Sequence, residues 1–462
     1  MNKYQNTIDH SAEVDSAEYH DPSIAKFPTT LEGKLLFYIA IAFSVFQVAT
    51  AAHLLDLPSQ ILRAFHVGFL GLLSFPLICA LKKKNLFLKT ISWICGILSF
   101  VIAIYQAVQY EALILRTSDL LLIDVVFGVT AVVLVFIAAY VVMGYALSLI
   151  AGIFLLYAFF GNYLTGMLQH RGYDFKQIVE HMSYGTEGIY GIPTYVSCTF
   201  VFLFILFGSF LERAGMIKLF NDVALGLLGH TRGGPAQVCV ASSALMGTIS
   251  GSGIANVVTS GQFTIPLMKK YGYSPAFAGG VEATSSMGGQ IMPPVMGAVA
   301  FIMAETLGVK YVEIVKAAII PAILYYVSCW WMVYLEAGKK KLLGIPKNEL
   351  PSALNAFKKS WYLTIPLIVL VYLLFSGYTP LYAGTIGLAF IIFLILGAPI
   401  AANLTKYKRL LFWIILGLVS ASFFEIGIRV IVISISILVS INFIFRGGRE
   451  TLLSCRDALA EG

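Results

Sequence analysis

The chain has 462 residues, of which 58% are hydrophobic and only 12% charged, with a mean hydropathy of +0.84. Soluble globular chains carry about a quarter charged residues, so that class is excluded and a polytopic all-α membrane protein is expected. The net charge of +7 falls in short clusters between apolar runs, which records membrane topology and argues against a nucleic-acid partner.

The first 33 residues are polar and include Asp9, Glu13, Asp15, Glu18 and Asp21, unlike the basic opening of a signal peptide. They read as a cytoplasmic tail. A span needs about 20 mainly apolar residues, and twelve stretches qualify: 34–55, 61–81, 87–108, 120–141, 145–162, 192–212, 274–304, 314–336, 360–377, 381–400, 409–428 and 429–446. With a cytoplasmic N-terminus, the basic clusters fall on one side of the membrane: Lys82-Lys83-Lys84, Arg213 with Lys218, Lys269-Lys270, Lys339-Lys340-Lys341, Lys358-Lys359, Lys406 to Arg409, and Arg446 with Arg449.

That arrangement requires the segment between Arg232 and Lys269 to enter and leave by the same face. As one rod, residues 235–268 would extend about 50 Å, too long for a span. As two half-helices turned at Gly251-Ser252-Gly253 they reach about 24 Å and return. The stretch MGTISGSGIANVVTSG (246–261) is therefore expected at the tip of a re-entrant hairpin. Irregular backbone at membrane depth persists only where protein, water or a ligand satisfies it. The first half-helix ends near Ser250 with free carbonyls, which suit a small cation; the second begins near Ser252 with free N–H groups, which suit a carboxylate. Ser250, Ser252, Asn256 and Thr259 add side-chain oxygens, the donors that hard cations prefer.

A second break is expected in VEATSSMGGQIMPPVMG (281–297). Gly288-Gly289 loosens the helix over 274–304, and Pro293 and Pro294 remove the bonds that the carbonyls of Gly289 and Gln290 would have accepted. Two interrupted elements in succession mark the midplane site of a secondary transporter. Glycine serving helix packing alone does not account for this density or for the length of the segment. Glu282 lies among apolar and small residues, and either ligand contact or structural pairing suits it. Gln290 sits at the break itself.

Asp124 and Glu425 read as boundary or pairing groups. The histidines lack zinc spacing, the six cysteines are scattered and read as packed thiols, and neither a phosphate-binding loop nor a hydrolase elbow is present. No enzymatic chemistry and no organic cofactor are expected.

The chain resembles the permease of tripartite ATP-independent periplasmic (TRAP) transporters, of the TAXI type with fused small and large membrane subunits. The resemblance rests on RGGPAQVCVASSALMGTISGSGIANVVTSGQFTIPLMKK (232–270) and AGGVEATSSMGGQIMPPVMGAVAFIMAE (278–305), with support from YAFFGNYLTGMLQHRGY (157–173), HMSYGTEGIYGIPTYVSCTFVFLFILFGSFLERAG (181–215) and LEAGKKKLLGIPKNELPS (335–352). It implies an elevator-type carrier of the bacterial inner membrane, driven by an ion gradient, usually sodium, that receives an organic acid from a periplasmic TAXI-type solute-binding protein. It also implies ion ligands at Ser250, Gly251, Ser252, Asn256, Gly288, Gly289, Met292 and Pro293. Thr259, Glu282 and Gln290 are expected at the solute cavity, and the TAXI pattern admits proton coupling or substrate contact through Glu282. The expected organisation is a tail (1–33), a small-subunit-like region (34–145), the first half of a large subunit (146–337) holding the hairpin (235–268) and broken helix (274–304), and an incomplete second half (338–462). RGGRETLLSCRDALAEG (446–462) resembles the interfacial helix that opens that second half. Half of the inverted repeat is thus expected to be missing. An ion-coupled carrier without a binding protein, or a partial subunit that needs a complementing chain, are the alternatives. Membrane lipids are partners in each case.

Overall fold

The computed structural model describes residues 27–461 except 29, 83–84, 118, 422–426 and 446. The acidic residues of the tail, Lys83, Lys84, Glu425 and Arg446 lie outside the described residues. Among the described residues every regular element is helical: α1 (Leu31–Ala51), α2 (Ser59–Leu81), α3 (Leu86–Val108), α4 (Tyr110–Leu115), α5 (Leu122–Met143), α6 (Tyr145–Phe160), α7 (Phe175–Ser183), α8 (Ile192–Arg213), α9 (Met216–Leu228), α10 (Gly234–Ser250), α11 (Gly253–Lys270), α12 (Pro275–Met287), α13 (Ala298–Leu307), α14 (Tyr311–Lys339), α15 (Ala353–Ser360), α16 (Ile365–Phe375), α17 (Pro380–Ala402), α18 (Lys406–Ala421), α19 (Ile428–Asn442) and α20 (Gly448–Glu461).

Nine helical segments among the described residues are long and apolar enough to cross a membrane, and each overlaps one of the twelve expected stretches. The other three differ. The stretch 274–304 opens into α12 and α13 around its glycines and prolines. The remaining two fall on α18 and α19, described over 16 and 15 residues; residues 422–426 of the stretch 409–428 lie outside the described residues.

Two spans are interior. More than half of the most apolar part of α8 and of α17 is buried inside the protein, as expected for helices apolar on every side. Phe204, Phe207 and Phe210 of α8 are fully buried, and α17 brings its backbone close at Gly384 and Gly387, where an added Cβ would meet Leu203, Phe204 and Phe207 at 3.3–3.8 Å. α6, in contrast, has no buried residue, and its apolar surface suits lipid. The last helix closes on the first: Ser44 Oγ of α1 donates to Leu459 O (2.6 Å), Ser209 Oγ of α8 donates to Ala458 O (3.3 Å), and Arg213 pairs with Glu461 of α20.

Asp124 is fully buried at the start of α5. It accepts from Leu121 N (2.8 Å) and Tyr105 OH, and lies 3.5 Å from Arg116 Nη2. This is the pairing role read from the sequence.

A candidate ion and solute site at two interrupted helices

Residues 234–270 form two helices of 17 and 18 residues, α10 and α11, separated by Gly251 and Ser252. Gly251 has φ of +60°, the left-handed conformation that glycine adopts without strain. The helices run antiparallel. Asn256 Nδ2 donates to Ser243 O (2.9 Å), and Ser243 Oγ lies 3.4 Å from Ser260 Oγ. Ser252 caps α11 by accepting from Ala255 N at 3.3 Å.

At the end of α10 the hydroxyl oxygen of Ser250 is buried and has no hydrogen-bond partner. Buried polar atoms are nearly always paired, so an unpartnered one at a helix C-terminus, where carbonyl oxygens also gather, fits a small hard cation. The break after α12 packs directly against this tip. A Cβ on Gly247 would lie 2.5 Å from Gly289 Cα and 3.4 Å from Met292 Cβ, and one on Gly251 would lie 1.9 Å from Met296 O. Gly288 and Gly289, both buried, form a short 3-10 turn with Gln290.

One expectation about this break is corrected. Pro293 and Pro294 do not leave the carbonyls of Gly289 and Gln290 free: Met292 N donates to Gly289 O (3.3 Å) and Gly297 N donates to Gln290 O (2.8 Å). The chain tightens into a 3-10 turn and folds back, so these backbone oxygens are spent internally. Among the described residues, the buried side-chain oxygen without a partner at the tip is that of Ser250.

Glu282 stands apart from the tip, in a cluster of its own. It is fully buried and is contacted by Cys239 Sγ (3.0 Å) and Ser243 Oγ (3.4 Å) of α10, Ser260 Oγ and Thr264 Oγ1 of α11, and Ser286 Oγ (2.8 Å) of its own helix. Ser243 and Ser250 are seven residues apart on α10, about 10 Å along the axis. One carboxylate thus joins both arms of the hairpin to α12. Sequence reading named none of these five partners. A signal was present: Cys239–Ser243, Ser260–Thr264 and Glu282–Ser286 are each spaced i,i+4, placing a polar pair on one face of each helix.

The structure therefore brings Ser250, Gly251, Asn256, Gly289 and Met292 together. Asn256 is fully buried, and its Oδ1 accepts from Ser260 Oγ at 3.2 Å. Thr259 instead donates to Ala255 O (2.9 Å) in its own helix, and the Gln290 side chain is exposed.

Residues 130–450, more than half of the chain, match the family model described as "Tripartite ATP-independent periplasmic transporter, DctM component". The chain is 29% identical over 194 residues to the C4-dicarboxylate TRAP transporter large permease protein DctM of Pseudomonas aeruginosa, covering 42% of this chain and 45% of that protein. It is 27% identical over 205 residues to the sialic acid TRAP transporter permease protein SiaT of Haemophilus influenzae (44% and 32% covered). Identity is 26% over 192 residues to the sialic acid TRAP transporter large permease protein SiaM of Vibrio cholerae (41% and 44% covered). The chain spans less than half the length of each of these relatives. With nine helical segments among the described residues long and apolar enough to cross a membrane, and more than half its length matched by this family model, the chain is a multi-pass inner-membrane protein that belongs to the DctM component family of tripartite ATP-independent periplasmic transporters.

Proposed function

We propose that this chain is membrane machinery for ion-coupled uptake of a carboxylate solute handed over by a periplasmic TAXI-type solute-binding protein, with sodium as the coupling ion. One observation carries the reading: two interrupted helices abut, with Gly247 against Gly289 and Gly251 against Met296 O, beside the buried, unpartnered hydroxyl of Ser250. Such paired interruptions build ion and substrate sites in secondary transporters. The relatives' names, a C4-dicarboxylate and a sialic acid permease, support an organic acid as the solute.

In this reading Ser250 contributes its hydroxyl and the carbonyl end of α10 its dipole. Gly251 and Gly289 allow the close backbone approach and Gly288 leaves room for the rings of Tyr325 and Tyr326, while Ser252 and Asn256 hold the opening turn of α11. Met292 and Pro293 shape the opposite wall. A bound sodium ion would supply the positive charge that attracts the solute carboxylate. Thr259, Glu282 and Gln290 belong to the solute side of the same proposal, as do the re-entrant path of 235–268, the cytoplasmic N-terminus, the fused small-subunit region and an elevator movement. The reading assigns the chain no enzymatic step.

Proton coupling is the second reading, and the Glu282 cluster favours it: a fully buried carboxylate meets only hydroxyl and thiol groups, with no basic side chain among the contacts. The test is ion-dependent thermal stability of the full chain in detergent. Sodium chloride is expected to raise the melting temperature saturably where potassium chloride does not, and Ser250→Ala to weaken the apparent sodium affinity about ten-fold, as for one lost ligand worth about 1.4 kcal/mol. Identical curves in sodium and potassium would reject sodium at the tip. A pH-dependent stability that Glu282→Gln abolishes would then favour the proton.

A further inference from the structure

A cavity of about 760 Å³ lies in the small-subunit-like region between the C-terminal ends of α2 and α5 and the N-terminal end of α3. Directly beneath it the same three helices are packed together: Phe75, Ile102, Ala131 and Leu134 form a buried cluster, and farther along Tyr105 stacks on Phe127 with centroids 4.2 Å apart. The helices splay beyond that cluster and leave a cleft with Phe75 at its floor and Ile78, Ile91, Ile137 and Val141 on its walls.

The mouth has a different chemistry. Among the described lining residues Lys82 alone is charged, and no carboxylate among them faces it across the cleft. Lys89, in the first turn of α3, is turned toward α1, where it pairs with Glu32 at 3.1 Å. Two helix N-termini open at the same mouth without a side-chain cap: α3, preceded by Asn85, and α6, preceded by Gly144, whose φ of +86° turns the chain sharply after α5. Free N–H groups and positive dipole ends at both starts favour an anion. Tyr140 and Tyr145 complete the rim, as aromatic residues do at the level of lipid headgroups. This end of the helices carries the basic run beginning at Lys82, so the positive-inside rule assigns it to the inner leaflet, where anionic lipids meet basic pockets between helices.

We infer that this cleft binds one anionic phospholipid of the inner leaflet, its phosphate at Lys82 and the starts of α3 and α6, and an acyl chain along Ile91, Ile137 and Val141. The charge pattern selects the headgroup and the apolar walls select an amphiphile over a free anion. The lipid would fill the gap between the α2–α3 pair and α5. Nothing in this inference depends on the ion or solute assigned to the hairpin.

The test is native mass spectrometry of the full chain, purified in a neutral detergent and titrated with phosphatidylglycerol or with phosphatidylcholine of the same chains. One phosphatidylglycerol should be retained at least five-fold more tightly than phosphatidylcholine. Lys82→Ala, a change at an exposed position, should weaken it about five-fold, as expected for loss of one basic contact at the membrane surface. Val141→Trp, which fills the groove, should remove the bound lipid while far-UV circular dichroism keeps its helical signal. If that variant fails to fold, Lys82→Ala decides. Equal retention of the two lipids, or unchanged affinity in Lys82→Ala, would reduce the lipid to an ordinary annular one and overturn the inference. Displacement of phosphatidylglycerol by inorganic phosphate at comparable concentration would overturn it as well, because the site would then recognise an anion alone.

Discussion

Glu282 shows how much one side chain holds together. Five hydroxyl or thiol groups from three helices converge on it, and their alternative acceptors are backbone carbonyls already used within the helices, such as Asn256 O for Ser260. Glu282→Ala is expected to destabilise the protein by about 2–5 kcal/mol, through the cavity and the stranded hydroxyls. Glu282→Gln keeps the volume and one acceptor oxygen and should cost about 1 kcal/mol. Chemical unfolding in mixed micelles measures both, and equal losses in the two variants would contradict this account. Gly251→Ala is a sharper probe of the tip, because it combines a left-handed backbone with a Cβ 1.9 Å from Met296 O. It should eliminate sodium-dependent stabilisation while leaving helix content intact; a wild-type sodium response would show that the contact between the tip and the break is dispensable. The importance of Glu282 was visible in sequence as a carboxylate among apolar residues. Its partners were not, because hydroxyl residues scattered through membrane helices look alike until packing selects one face of each.

At the scale of elements, the hairpin was legible from length alone. Thirty-odd small and apolar residues between two basic clusters are too long for one crossing, and glycine marks the reversal. Cysteine accessibility checks the membrane path: on a cysteine-free background, Thr231→Cys and Tyr271→Cys should react with an impermeant reagent from the same face of inverted vesicles. Reaction from opposite faces would mean that α10 and α11 together cross the bilayer. The break in 274–304 was legible too, through Gly288-Gly289 and the two prolines, but its hydrogen bonding was not. Pro removes a donor, and whether the orphaned carbonyl finds another donor depends on how the chain folds back, here through Met292 N and Gly297 N. Short helices such as α7, α9 and α15 stayed invisible to a search for spans, since eight to thirteen residues of mixed polarity carry no membrane signal.

Across the whole molecule, the buried pair α8 and α17 lies at the centre of one extended apolar cluster, and α20 ties the end of the described chain to its beginning. Ser44, Ser209 and Arg213 each find a partner on α20, whose Ala458 is fully buried. Removal of residues 448–462 should therefore lower the melting temperature by several degrees, as loss of a docked helix unseats α1 from α8. An unchanged melting temperature would show that α20 rests on the fold without supporting it. By itself the sequence determined that the chain is helical and crosses a membrane many times, where most spans lie, and which two of its helices are interrupted. Those features depend on local quantities, namely apolar length, charge clusters, glycine and proline. Only the tertiary structure decided that the interruptions meet, that Ser250 keeps an unpartnered oxygen while the carbonyls near the prolines do not, and that Glu282 joins three helices about 10 Å from the tip. Each of these depends on atoms brought together from positions far apart in the chain, by close packing that no local pattern encodes.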